Sequence, residues 1–182
     1  MKNNYYAKFI NIIKKSETVM VSFTETHAYI TNSYILAKVT HNQYKGYFFG
    51  ESTLFPEIKV GKTLLKRGKN EKVLREQEHF TDMERLISKE YLYTTECSNI
   101  MLRNNKDADI VVCFTDDGVM GMDRTYVEAA ESICGKQFRF NGTLKPVIYG
   151  DDDTHIILVL PVRMSEGAKS ELKALAMLTK GE

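Results

Sequence analysis

Net charge is almost absent from this sequence. Its 25 Lys and Arg face 24 Asp and Glu, which leaves a formal charge of +1. No global field therefore announces a nucleic acid or a membrane surface, and any such site has to be a local patch. Long apolar runs are missing too: none nears the ~20 residues that span a bilayer. What would be the apolar part of an N-terminal signal is broken by Asn11, Lys14 and Lys15, so a cytoplasmic location is the expectation. Cys97, Cys113 and Cys134 are an odd number without C-x-x-C spacing. Cys113 and Cys134 fall in apolar-patterned segments and read as reduced core residues.

Catalytic signatures are equally scarce. His27, His41, His79 and His155 are dispersed, without the H-x-x-x-H spacing that puts two rings on one helical face. There is no G-x-S-x-G elbow. Gly61-Lys62-Thr63 looks like the tail of a phosphate-binding loop, but Pro56 stands where that motif needs its earlier glycine. Asp151-Asp152-Asp153 with His155 brings four donors close together, as Mg²⁺ or Ca²⁺ would use. Aspartates also favour turns, and a charged hairpin tip between two strands is the preferred reading. No catalytic residue, metal or cofactor is expected, and the protein reads as non-enzymatic.

What is present is a pattern that occurs twice. With 182 residues, 43% hydrophobic and 27% charged, the chain can build one domain with a substantial core. Tyr5–Lys15 has helical spacing, with Tyr6, Phe9, Ile10 and Ile13 on one side and Lys8, Asn11 and Lys15 on the other. Strands follow at Thr18–Thr24, His27–Thr31 and Ser33–Val39, the first alternating Val19, Val21 and Phe23 with Met20 and Ser22. The order returns as a helix at Arg124–Cys134 and strands at Lys136–Asn141, Lys145–Gly150 and His155–Arg163. An internal duplication constrains the fold more than composition does.

Between the copies the pattern loosens. Tyr44, Tyr47, Phe48 and Phe49 fit a strand or a cluster of packing aromatics. The stretch Glu57–Arg75 is basic, and its bland reading is a solvated loop. Thr81–Ser88 reads as a helical turn, Glu90–Thr95 and Asn99–Arg103 as two strands. Ile110–Phe114 and Val119–Met122 flank Asp116-Asp117-Gly118, a hairpin-turn signal. The second helix starts at Asp123 or Thr125, where Thr125 and Glu128 have capping-box spacing. It buries Tyr126, Val127, Ala130 and Ile133 and turns Arg124, Glu128, Glu131 and Ser132 outward. Ile156–Leu160 is continuously apolar, as a strand buried on both faces would be. Glu166–Lys180 reads as a C-terminal helix with Leu172, Leu175, Ala176 and Leu178 apolar.

The fold class is α+β, an antiparallel sheet with helices on one face. The single domain divides into repeat one at 4–40, a charged insertion or connection at 43–105, repeat two at 108–164, and a helix at 166–180.

This order resembles one domain of the DNA sliding clamp family, which includes the bacterial polymerase processivity subunit. Three strings carry the resemblance: Asp117–Asp123 leading into helix, Asn141–Ile148 before the last hairpin, and Leu158–Met164, similar to the clamp's terminal strand. His79–Ile87 weakly resembles the segment between clamp repeats. The likeness covers both ends of the chain and little of the middle. It implies a non-catalytic replication accessory, of phage or mobile-element type, that contacts double-stranded DNA through its phosphates or docks a polymerase. In clamps, helices line a ring and sheets close it outside, so a homo-oligomer is implied; one domain per chain would require six copies. The implied DNA-facing residues are Lys8 and Lys15 on the first helix, supplemented by Lys59, Lys62, Lys66 and Arg67 of the basic stretch. The implied peptide-docking residues are Pro161, Val162 and Met164. Glu128 and Glu131 depart from the pattern, because two outward carboxylates repel a polyanion. The alternative is a monomeric or dimeric interaction module that keeps the fold and ignores DNA.

Overall fold

The computed structural model describes residues 4–87, 93–98, 100–103, 109–115, 118–151 and 155–179. In chain order the elements are α1 (Ala7–Lys15), β1 (Thr18–Phe23), β2 (His27–Thr31), β3 (Ile35–Thr40), α2 (His41–Tyr47), β4 (Lys62–Arg67) and β5 (Arg75–Glu76). A 3₁₀ turn (Met83–Leu86) follows, then β6 (Tyr93–Thr95), β7 (Met101–Arg103), β8 (Asp109–Thr115), β9 (Gly118–Asp123) and α3 (Arg124–Cys134). The chain continues through β10 (Phe138–Phe140), β11 (Val147–Asp151), β12 (His155–Val159) and α4 (Glu166–Thr179). The protein is thus mixed α+β, dominated by a large antiparallel sheet. Nine strands run β5-β4-β1-β2-β3-β12-β11-β10-β6, and β7-β8-β9 form a separate three-stranded sheet.

The patterning explains which face each helix covers. Val19, Val21 and Phe23 are fully buried on one side of β1, and Ile30 and Leu64 sit opposite Val21 on the two neighbouring strands. Phe9, Ile10 and Ile13 of α1 and Val127, Ala129 and Ala130 of α3 enter the same core with Val147, Tyr149, Ile157 and Val159. Both helices therefore lie on one face of the large sheet. Each such aliphatic or aromatic side chain contributes on the order of 1.5–3 kcal/mol by leaving water.

The other face has a smaller core of Tyr29, Leu36, Ile148, Ile156 and Leu158, covered by Met83 and Ile87. This is why β12 is apolar at every position from Ile156 to Val159; Leu160, one residue beyond, is exposed. The 3₁₀ turn is pinned there by charge: Lys38 Nζ lies 2.9 Å from Glu84 Oε1, and the Tyr29 hydroxyl donates to the other oxygen of that carboxylate.

Strand order is a mirror about the β3–β12 seam, where Ala37 pairs with Ile157. Outward from it come β2 and β1 on one side, β11 and β10 on the other. The helices are antiparallel. Lys8 in the first turn of α1 reaches Glu128 of α3, whereas Ile12 and Lys15 share a cleft with Asp123 and Tyr126 at the start of α3.

Several elements differ from the sequence-based expectations. The first helix begins at Ala7, not Tyr5. Tyr44 and Tyr47 belong to α2, which Phe48 closes as C-cap and which begins with a capping box in which Thr40 Oγ1 accepts from Gln43 N–H and Gln43 Oε1 accepts from Thr40 N–H at 2.9 Å. Tyr44 and Phe48 are fully buried, and the Tyr44 hydroxyl donates to the Pro56 carbonyl. Part of the basic stretch is a sheet strand: β4 pairs with β1 along its whole length. The Thr125–Glu128 capping box does not form; Asp123 caps α3 by accepting from Thr125 N–H at 2.8 Å, and Glu128 makes ion pairs. Tyr126 and Ile133 are half-buried, with Ala129 fully buried in their place.

The β11–β12 hairpin pairs Asp151 with His155, and Asp152 and Asp153 lie outside the described residues, as do Asp116, Asp117, Asn99 and Glu90–Leu92. Gly150 is required where it stands: its φ is +88°, and an added Cβ would lie 2.3 Å from the His155 carbonyl oxygen. Leu172 of α4 packs on Val112 and Val119; the side chains of Leu175, Ala176 and Leu178 are outside those described. No helix among the described residues is long and apolar enough to cross a membrane.

Candidate nucleic-acid interface

The outward side of the α1–α3 pair is a chain of alternating charges. Lys8 Nζ lies 3.3 Å from Glu128 Oε2, and Arg124 Nε donates to Glu128 Oε1 at 2.7 Å. Arg124 Nη1 also lies 3.5 Å from Asp109, which Arg103 approaches at 3.8 Å. The hydrogen bonds from Arg124 and then Lys8 hold the Glu128 carboxyl below its usual range. Burial pushes Glu131, one turn on, in the opposite direction. Lys14 is paired with Glu51 at 3.4 Å.

Lys15, in the last turn of α1, lines a cleft of about 590 Å³ together with Glu17, Asn32, Tyr34, Asp123 and Tyr126. Tyr34 and Tyr126 stack with ring centroids 6.1 Å apart. The cleft opens where α1 ends and α3 begins, beside the turn between β2 and β3.

The other four expected cations lie on or beside β4: Lys59 and Lys62 at its start, Lys66 and Arg67 at its end, where Lys66 reaches Ser16, next to Lys15. Lys62 and Lys59 share Glu76 of β5, at 2.8 and 3.4 Å, and these bonds hold the Glu76 carboxyl low. Arg67 is exposed, with its backbone N–H donating to Glu71. Lys66 is different in kind. It is 5% exposed, and its ammonium donates to the Ser16 carbonyl at 2.7 Å. Ser16 is the C-cap of α1, so Lys66 places a cation against the negative end of that helix. It is a cap, withdrawn from any phosphate.

Pro161, Val162 and Met164 follow β12 and lead the chain to the small sheet. Val162 N–H donates to the Gly121 carbonyl at 2.8 Å, in an antiparallel bridge to β9. Met164 packs into the cluster that Leu172 of α4 joins. The three residues connect sheet to helix, and two of them are committed to internal contacts.

Local sequence does not betray the Arg124–Asp109 and Lys8–Glu128 pairs, which join residues 15 and 120 positions apart. Spacing alone places Lys8, Arg124 and Glu128 outward on their own helices and leaves their pairing unread. Among the described residues no three His, Cys, Asp or Glu side chains converge as a metal site would need. What this face offers chemically is electrostatic: point charges at helix surfaces, suited to phosphate or carboxylate partners. No known family model matches the sequence, and no match is found among curated proteins.

Proposed function

We propose that this chain is a clamp-like, non-catalytic accessory protein of DNA replication, which contacts the phosphates of duplex DNA or docks the polymerase that works on it. One observation carries the reading. Two antiparallel helices lie side by side on one face of a sheet whose strand order mirrors itself about the β3–β12 seam. Clamp-like assembly needs such a helical layer to face the duplex, with self-association through sheet edges. Among the described residues, the edges of the large sheet are the short strands β5 and β6. Lysines on α1 suit a non-sequence-specific grip, since they act on phosphate as point charges and read no base.

A specific observation favours a second reading, in which the fold serves protein docking without DNA. Lys8, Lys59 and Lys62 are all ion-paired, and Lys66 is buried. Binding to a random duplex across a salt series separates the two. Under the first, affinity falls as salt rises with a slope of about 0.9 per phosphate contact, Lys15→Glu weakens it, and native mass measurement finds self-association. A strict monomer at high concentration with no duplex retention at low salt refutes the first and leaves the second.

A further inference from the structure

The fold brings two of the three cysteines together. Cys97 Sγ and Cys113 Sγ lie 2.7 Å apart, both as free thiols. The sulfurs are already close to the ~2.05 Å of a bond. Backbone hydrogen bonds set this approach. Ser98 N–H donates to the Val112 carbonyl and Val112 N–H to the Ile100 carbonyl, each at 3.0 Å, which locks the link between β6 and β7 beside β8.

The two thiols differ in access. Cys113 is fully buried among the core residues beneath α3. Cys97 is half-buried and lines a cleft of about 480 Å³, whose walls include Arg124, Glu131 and Lys136. We propose that Cys97 and Cys113 are a reversible redox pair, oxidised to an intramolecular disulfide by exchange with a small disulfide of the glutathione type that enters this cleft.

The chemistry balances in two displacements. Cys97, as thiolate, attacks one sulfur of the small disulfide and expels one small thiolate, which takes up a proton. The Cys113 thiol then attacks Cys97 Sγ, and its proton passes to the second small thiolate as that leaves. Two protein thiols are oxidised to one disulfide, and one small disulfide is reduced to two thiols. The order follows from access: Cys97 lines the cleft whereas Cys113 is buried, and the bond to Cys97 and burial both hold the Cys113 thiol well above the ordinary range, so the reaction starts at Cys97. Cys134, at the end of α3, provides an internal reference; burial pushes its thiol up to about 12.

The test treats the full chain with oxidised glutathione, alkylates it under denaturing conditions and measures intact and peptide masses. The expected product carries one alkyl group, on Cys134, with the Cys97 and Cys113 peptides joined; dithiothreitol restores three alkylation sites. Its melting temperature rises by ~6–12 °C, as expected when a bond closes a loop of about 15 residues. Cys113→Ser should stop at a stable glutathione adduct on Cys97, and Cys97→Ser should leave Cys113 unmodified. Three alkylated cysteines after oxidation, chain-to-chain links through Cys134, or an adduct on wild-type Cys97 that never resolves would each overturn the proposal. The wild-type mass map decides even where a variant fails to fold.

Discussion

Replacing Lys66 with Met distinguishes a structural cation from a DNA-contacting one. Met keeps much of the buried stem of Lys66, which lies opposite Val19 in the β1–β4 register, and removes only the ammonium. The loss is the 2.7 Å bond to the Ser16 carbonyl at the C-terminal end of α1. A hydrogen bond from a charged donor is worth ~1.5–3 kcal/mol, and the favourable interaction with the helix end adds ~0.3–1 kcal/mol. Relief of the cost of burying an ammonium offsets part of this. We expect a net loss of about 2 kcal/mol, hence a melting temperature lower by ~4–8 °C for a domain of this size, followed by circular dichroism at 222 nm and urea titration. Duplex binding below the melting transition should keep its salt slope, because Lys66 makes no phosphate contact. Lys15→Met should do the reverse: unchanged melting, and a salt slope smaller by ~0.9. A Lys66→Met protein that melts like its parent and loses duplex affinity would refute the capping argument.

Gly150→Ala forces a residue with φ of +88° to carry a Cβ 2.3 Å from the His155 carbonyl oxygen; it should cost more than ~3 kcal/mol, seen as loss of soluble protein or a collapse of the urea midpoint. Glu84 sits where burial raises its carboxyl but the bonds from Tyr29 and Lys38 outweigh that and hold it below its usual range. Its folded pKa lies beneath the unfolded value, so the stabilisation is complete above pH ~4.3 and fades as pH falls through the depressed folded value. Glu84→Gln should therefore be less stable than the parent at pH 6, with the gap closing towards pH 3 in urea titrations; a constant gap would exclude titration of this group. Glu128→Lys should change the melting temperature little, its bonds to Lys8 and Arg124 both being exposed ones worth ~0.2–1 kcal/mol each. It should steepen the duplex salt slope by one to two contacts, measured by fluorescence anisotropy.

The ends of the chain were legible because their apolar spacing is clean. Ala7–Lys15 buries Phe9, Ile10 and Ile13 on one stripe, β1 alternates, and β12 is apolar from Ile156 to Val159. The middle was not, because its burial rests on partners far away in sequence. In β4 the pattern Lys62-Thr63-Leu64-Leu65-Lys66-Arg67 looks solvated, yet Thr63 is buried by bonds to Ser22 and to the Thr81 N–H, and Lys66 by Ser16. The α2 helix is seven residues long, too short for periodicity to declare itself. Of the expected site, the helical lysines could be placed from sequence, whereas their neutralising partners could not. Cys97 and Cys113 likewise gave no spacing signal, since their approach depends on how the link after β6 lies along β8.

The ion pairs on the helix face do not by themselves decide whether it can meet DNA. An exposed pair such as Lys8–Glu128, with both side chains at least 40% exposed, contributes ~0.2–1 kcal/mol. A phosphate can take Lys8 from Glu128 for less than the gain from counterions released at one contact. The carboxylate left behind is the larger matter. Arg124 holds it at 2.7 Å and keeps it neutralised within its own helix, so the approaching polyanion meets an ion pair and not a bare charge. On the proposed DNA-binding reading, Arg124 should therefore outweigh Lys8. If Arg124→Ala weakens duplex binding more than Lys8→Ala, at equal thermal stability, the acidic side chains of α3 are tolerated because they are screened in place. If Lys8→Ala has the larger effect, direct phosphate contact dominates and that screening is incidental.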